Sequence, residues 1–235
     1  MAQLTAANNV ARTALESVAA KSSPIVLLLI AVNTAVFFFL PIAFPSRYPY
    51  RLESLGVAWG PLVFSGQWWR VLTCSFVHFE LSHLLPNMLG LWILGSRIER
   101  EFGRWTFLFF YLVCGTVVAL IVLALNPFTA FVGASGAVAG LAGAIIVIYA
   151  PRFMVLSWSA RAKLGILILV VAGLLAREFT RGRLYLAHTT GLLAGASLCV
   201  LLVSVAKTTR ARFYMFVGLI SLLVISAMLV QRYHR

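Results

Sequence analysis

The sequence contains no aspartate and has few charged residues of any kind. Only 11% of its 235 residues are charged, and all six acidic residues are glutamates. An average soluble domain is about one quarter charged. The missing aspartate excludes a protease built on two aspartates and a serine–histidine–aspartate triad. The H-E-x-x-H motif is also missing, which excludes a zinc protease of that design.

Cysteine is scarce as well. The three cysteines, Cys74, Cys114 and Cys199, are scattered and lie mostly inside apolar runs. This pattern is typical of small packing residues and indicates neither a disulfide framework nor a metal cluster. No group of side chains has suitable ligand geometry, so we expect no cofactor and no metal.

Hydrophobic residues take the place of the missing polar ones. They make up 62% of the chain, and the mean hydropathy is +0.98. This excess is too large for one soluble core, so much of the apolar surface must face lipid. The sequence therefore predicts an integral membrane protein with several transmembrane segments.

The chain is strongly basic, with a formal net charge of +13. The nineteen lysines and arginines are spread over short segments between hydrophobic runs and form no dense basic stripe. We therefore expect membrane lipid as a partner, with the charges meeting anionic headgroups and setting topology, and no nucleic acid.

The hydrophobic runs divide the chain into three parts. Residues 1–23 form a polar tail, better explained as amphipathic or disordered than as a targeting sequence. A six-span core (24–206) follows, with a first loop (45–80) whose tryptophans and tyrosines favour the membrane interface. A seventh span and a short tail complete the chain (207–235). The predicted spans are 24–44, 81–98, 105–125, 133–150, 163–178, 184–206 and 211–231.

These spans predict an all-α, polytopic membrane helical bundle. With alternating spans, eleven lysines and arginines fall on the N-terminal side and eight on the other. The difference favours a cytoplasmic N-terminus and an external C-terminus.

Three polar clusters occur at the beginnings of spans two, four and six. They contain His83 with Asn87, Ser135 within G-A-S-G, and His188 within A-H-T-T-G. Polar side chains within a membrane are energetically expensive, so each is a functional candidate. The three spans run in the same direction, and a helix rises about 1.5 Å per residue. The clusters should therefore lie at one depth and form one site.

Small residues repeat every four positions on two of these spans. Gly136 and Gly140 lie on span four, and Gly191 and Gly195 lie on span six. Such stripes let two helix backbones approach closely. We expect this approach to bring the two spans' serine and histidine within hydrogen-bonding reach.

The chemistry of these side chains predicts a separate role in catalysis for each. Ser135 is the nucleophile, and His188, a neutral imidazole near pH 7, is the base that accepts its proton. Unpaired N–H groups at the start of the serine's helix can stabilise an oxyanion. His83 and Asn87, four residues apart on one helix face, can donate to the same oxygen.

This set of residues resembles the rhomboid family of intramembrane serine proteases in order and spacing. The resemblance covers residues 56–205 and implies a serine–histidine dyad without a carboxylate, with His83, Asn87 and the Ser135 amide around the oxyanion. The matching residues are Trp69, Arg70, His78, His83, Asn87, Glu99, Gly103, Gly133, Ala134, Ser135, Gly136, Ala187, His188 and Gly191.

The resemblance also implies roles outside the dyad. Trp69 and Arg70 would be structural, Glu99 would tie the first loop to the bundle, and His78 would belong to the hydrogen-bond network of that loop. One departure is Ala139, because some members have an aromatic residue there that stacks on the base. A C-terminal seventh span is similar to that of secretory-pathway members, so we expect the secretory pathway or plasma membrane rather than the mitochondrial inner membrane.

The predicted function is an intramembrane serine endopeptidase that cleaves transmembrane protein substrates. We expect cleavage near the outer face, in helices that unwind there, with small residues at the scissile bond. The alternative is a rhomboid-like pseudoprotease that binds membrane clients for quality control or trafficking. A small transporter fits less well, because its polar groups should lie near the middle of the membrane.

Overall fold

The computed structural model describes residues 23–43, 56–180, 187–204 and 208, apart from the side chains of 174 and 177–180. The predicted seventh span, most of the predicted N-terminal tail and the first part of the first loop lie outside the described residues. The helices are α1 (Pro24–Ala43), α2 (Gly60–Phe64), α3 (Arg70–Thr73), α4 (Leu81–Gly90), α5 (Ser96–Phe102), α6 (Arg104–Leu125), α7 (Ser135–Tyr149), α8 (Trp158–Thr180) and α9 (Ala187–Ser204).

The predicted all-α class is confirmed. Within the described ranges, extended pairing is limited to one isolated antiparallel bridge between Ala58 and Phe131. Four helical stretches are long and apolar enough to cross a membrane, and they match predicted spans one, three, four and six. They are Pro24–Ala43, Arg104–Leu125, Ser135–Val155 and Ala187–Ser204.

Helices also occupy the other two predicted core spans. The fifth begins earlier than predicted, because α8 starts at Trp158. The second consists of α4, a π-helix (Leu91–Gly95) and α5 in direct succession. Pro86 lies inside α4 and has no N–H to donate to the preceding turn. Short π-helical segments of this kind often lie near functional sites.

Two features stabilise the bundle. They are the burial of α6 in its core and a close contact between α7 and α9. Phe107, Phe110 and Tyr111 of α6 are fully buried. A methyl group added to Gly195 of α9 would overlap the carbonyl oxygen of Gly140 on α7, and one added to Gly191 would overlap that of Gly136. The two helices are therefore parallel, with backbones in direct contact, as the glycine stripes predict.

Glu99 has a structural role in the described part of the chain. Its carboxylate accepts hydrogen bonds from the backbone N–H groups of Ile25 (3.1 Å) and Val26 (2.9 Å), at the start of α1. The first turn of a helix has no internal acceptors for these groups, so a buried carboxylate is a favourable partner. Glu99 thus ties α1, rather than the described part of the first loop, to the bundle.

The described part of the first loop is well structured. Arg70 is buried, and its guanidinium donates to Gln67 Oε1 (2.7 Å) and to the Val57 carbonyl (3.2 Å). Gly60 N–H donates to the Pro127 carbonyl at 2.8 Å, which joins this loop to the one between α6 and α7. Arg70 therefore has a structural role, in agreement with the resemblance.

The contact between α7 and α9 predicts a difference between two glycine substitutions. In Gly195→Ala the added methyl overlaps the backbone of α7, and overpacking of this kind typically costs ~1–3 kcal/mol. We expect a lower midpoint of thermal unfolding for the purified protein in detergent. The matched control is Gly165→Ala in α8, where a methyl meets no heavy atom within 4 Å. Alanine favours helix over glycine, so this control should not lose stability. A Gly195→Ala midpoint equal to the wild type would contradict the close contact.

Candidate active site

Ser135 and His188 lie at the same end of the α7–α9 pair. Ser135 is the first residue of α7, and His188 is the second residue of α9. Gly191 faces Gly136 across the contact, and the helices are parallel, so the beginnings of both helices lie at one level. Each residue is therefore within about one helical turn of the first backbone contact. Both side chains are half-buried.

His83 completes this layer from α4. Its imidazole lies against Gly133, since a methyl added to Gly133 would be 2.5 Å from His83 Cε1 and 2.7 Å from Nε2. The ring also lies within electrostatic range of His188. Gly133 has a φ of +99°, a region that residues with a side chain rarely adopt. The turn before Ser135 thus needs glycine for its conformation and for the space that His83 fills.

The start of α7 is hydrogen-bonded to the end of the first loop. Gly133 N–H donates to the Cys74 carbonyl at 2.8 Å. Ala134 N–H donates to Nε2 of His78 at 3.3 Å. His78 is fully buried, and its ring centroid is 5.0 Å from that of His83. The resemblance assigns His78 to the hydrogen-bond network of the first loop, and the structure makes it a direct neighbour of the turn that carries Ser135.

Asn87 is bound to the same histidine nitrogen. Its Nδ2 is 3.1 Å from His78 Nε2 and donates to the His83 carbonyl at 3.0 Å. A carbonyl only accepts, so the atom that faces it must be the amide nitrogen. Both Nδ2 hydrogens are then used, and His78 Nε2 must accept from Asn87 and from Ala134. His78 is therefore neutral, with its proton on Nδ1.

Burial supports this protonation state, because it lowers the pKa of His78 to about 4. A buried imidazolium would lose hydration and could not accept the two hydrogen bonds at Nε2.

For Asn87, the same bonds have a consequence for catalysis. Its amide can donate to a substrate oxygen only by exchanging one of its two present partners.

Ala139, the departure from the family pattern, faces α9. A methyl added to Gly191 would be 3.0 Å from the Ala139 Cβ. The small side chain thus lies inside the contact between α7 and α9. A large aromatic residue pointing the same way would have to push the helices apart. The close contact itself holds the start of α9, and with it His188, beside the start of α7.

The lowered pKa of His78 predicts a loss of stability in mild acid. An unfolded histidine has a pKa near 6.5, so between pH 6.5 and 4 the unfolded chain binds more protons than the folded one. The contribution of neutral His78 to the free energy of unfolding is fully present above pH 6.5. It decreases below pH 6.5, by up to ~1.4 kcal/mol per pH unit. In His78→Gln, a side-chain oxygen can accept the same bonds without titrating. Thermal midpoints between pH 7 and 5 should decrease less in this variant than in the wild type. If the thermal midpoints of the wild type and of His78→Gln decrease equally between pH 7 and 5, His78 is not buried in its neutral form.

Comparison with known proteins agrees with this architecture. Residues 65–205 match the Rhomboid domain family. Rhomboid protease GluP of Bacillus subtilis (strain 168) is 35% identical over 121 residues, which are 52% of this chain and 24% of that protein. RHOMBOID-like protein 7 of Arabidopsis thaliana is 32% identical over 159 residues, 64% of this chain and 48% of that protein. RHOMBOID-like protein 2 of the same plant is 31% identical over 148 residues, which are 63% of this chain and 46% of that protein.

This chain thus matches between about a quarter and a half of the length of these relatives. The match to the family covers more than half of the chain and includes every residue of the candidate site. The GluP relative is named as a rhomboid protease. The chain belongs to the rhomboid family and is an integral, multi-pass membrane protein.

Proposed function

We propose that this rhomboid is an active intramembrane serine endopeptidase that uses Ser135 and His188 as a catalytic dyad. The parallel, glycine-lined contact between α7 and α9 carries the proposal, because it puts the beginnings of both helices at one level. A serine hydroxyl is a weak nucleophile until a base within hydrogen-bonding reach takes its proton. No carboxylate is required, which suits a sequence without aspartate.

The reaction proceeds in two steps. Ser135 Oγ attacks the carbonyl carbon of the scissile peptide bond, and His188 accepts the hydroxyl proton. His188 then donates this proton to the leaving amine, which gives an acyl-enzyme on Ser135. Water attacks the acyl-enzyme with His188 again as the base, and this step restores the serine.

The oxyanion of each tetrahedral intermediate is stabilised by the start of α7 and by α4. Ser135 N–H is at the first position of its helix, where backbone donors have no internal partner. His83 lies against the same turn and supplies a side-chain donor. Asn87 joins them when one of its Nδ2 hydrogens leaves His78 or the His83 carbonyl. Fixed donors of this kind typically contribute 10²–10³-fold in rate each.

The substrates are transmembrane segments of other membrane proteins. The site lies at the ends of its helices, so a substrate helix must unwind near that membrane face to expose a peptide bond. Ser135 and His188 are both half-buried, which favours small residues at the scissile bond. Water reaches the dyad from the same face.

The test is cleavage of a reporter transmembrane substrate by the purified protein in vesicles. Ser135→Ala removes the nucleophile and His188→Ala removes the base, so each should lower the rate by at least ~10³-fold. The matched control is Ser82→Ala. Ser82 is near the start of α4, but it is exposed and bonded to Glu80. The Ser82→Ala variant should cleave the reporter at the wild-type rate.

Cleavage by Ser135→Ala at the wild-type rate would overturn the mechanism. Binding of the reporter by wild type and both dyad variants, with no cleavage by any of them, would instead favour a pseudoprotease that binds membrane clients.

A further inference from the structure

The connection between α7 and α8 (150–157) and the first turns of α8 (158–163) form a hairpin tip at the end of the bundle opposite Ser135. Its first half is a 3₁₀ segment, Ala150–Val155. The guanidinium of Arg161 donates to the carbonyls of Met154 (2.6 Å) and Leu156 (3.0 Å). It also lies 5.6 Å from the centre of the Phe153 ring. One arginine thus holds the two halves of the tip together.

This hairpin tip presents large apolar side chains outward. Met154 is 78% exposed, Val155 79% and Trp158 84%. They lie at the end of a stretch, Ser135–Val155, that is long and apolar enough to cross a membrane. Aromatic and aliphatic side chains at such a position partition into the boundary between headgroups and acyl chains.

The surroundings of the tip are basic. Arg152 and Lys163 of the same segment are exposed. The sequence has no acidic residue between Glu101 and Glu178. Glu101 already has an ion-pair partner in Arg97 (3.8 Å). The guanidinium of Arg97, near the start of α5, lies 4.9 Å from the ring of Tyr149, the residue that precedes the tip.

We propose that the hairpin tip is a binding surface for anionic phospholipid headgroups. Met154, Val155 and Trp158 insert at the headgroup boundary, while Arg152 and Lys163 contact headgroup phosphates. Apolar insertion alone would not distinguish lipids by charge, but the excess of cations does. Ser135 and Val155 are at opposite ends of one helical stretch, so this attachment also sets the depth of Ser135 in the membrane.

The experiment uses the full-length protein in phosphatidylcholine vesicles that contain a fixed fraction of one brominated lipid. The fluorescence of Trp158 is obtained as the difference between a given protein and the same protein with Trp158→Phe. Brominated phosphatidylglycerol should quench Trp158 more strongly than brominated phosphatidylcholine. The relative association constant should favour the anionic lipid by roughly thirtyfold, as expected for two cationic contacts, and it should decrease at high salt.

Two double variants test the role of charge. Arg152→Gln with Lys163→Gln should bring the relative association constant close to one, whereas Arg152→Lys with Lys163→Arg should keep the wild-type preference. Equal quenching of the wild type by the two lipids would overturn the proposal. An undiminished preference in the glutamine variant would also overturn it, because the selectivity would then come from elsewhere. Neither result depends on proteolysis, so the test is independent of the proposed catalytic activity.

Discussion

The backbone contact between α7 and α9 is the constraint on which the site depends. In a membrane, lipid tails are as apolar as leucine, so helices gain little from the hydrophobic effect and associate through close packing. Gly195 against Gly140, and Gly191 against Gly136, permit that packing. Because the pair is parallel, the same contact determines the level of the two helix beginnings. The position of Ser135 relative to His188 thus follows from packing, without an aspartate to orient the imidazole.

A second set of interactions fixes the turn that leads into α7. Backbone N–H groups of Gly133 and Ala134 bind Cys74 and His78, so the first loop and α7 are held together at the site. His78 can serve this role only while neutral, because its Nε2 must accept. Burial keeps it neutral by lowering its pKa to about 4. The loop, α4 and α7 therefore share one buried polar network.

Much of this arrangement could be predicted from the sequence. Long apolar runs predict helices, and glycines at four-residue spacing predict a close helix pair, because both patterns act through neighbouring positions on one element. Ser135, His83 and His188 could be assigned to one layer because alternate spans run in the same direction. The structure places all three at the corresponding helix ends.

What could not be predicted depends on contacts between distant backbone groups. His78 bonds to the main chain of Ala134, and Glu99 bonds to the main chain of Ile25 and Val26. Main-chain partners have no signature in the sequence, so neither contact was visible in the pattern. The early start of α8 has a different cause, because a serine cap does have a signature in the sequence. Its first turn is capped by Ser157, whose hydroxyl accepts the N–H of Ala160, although the apolar run begins later.

The proposed dyad requires that the packing of α7 against α9 brings His188 within reach of Ser135. The most direct measurement is mass-spectrometric localisation of the adduct that a fluorophosphonate forms with the protein in membranes, together with its rate of formation. The proposed dyad predicts an adduct on Ser135, and a rate of adduct formation lower by orders of magnitude in His188→Ala. An adduct on a different serine, or an unchanged rate in His188→Ala, would contradict it.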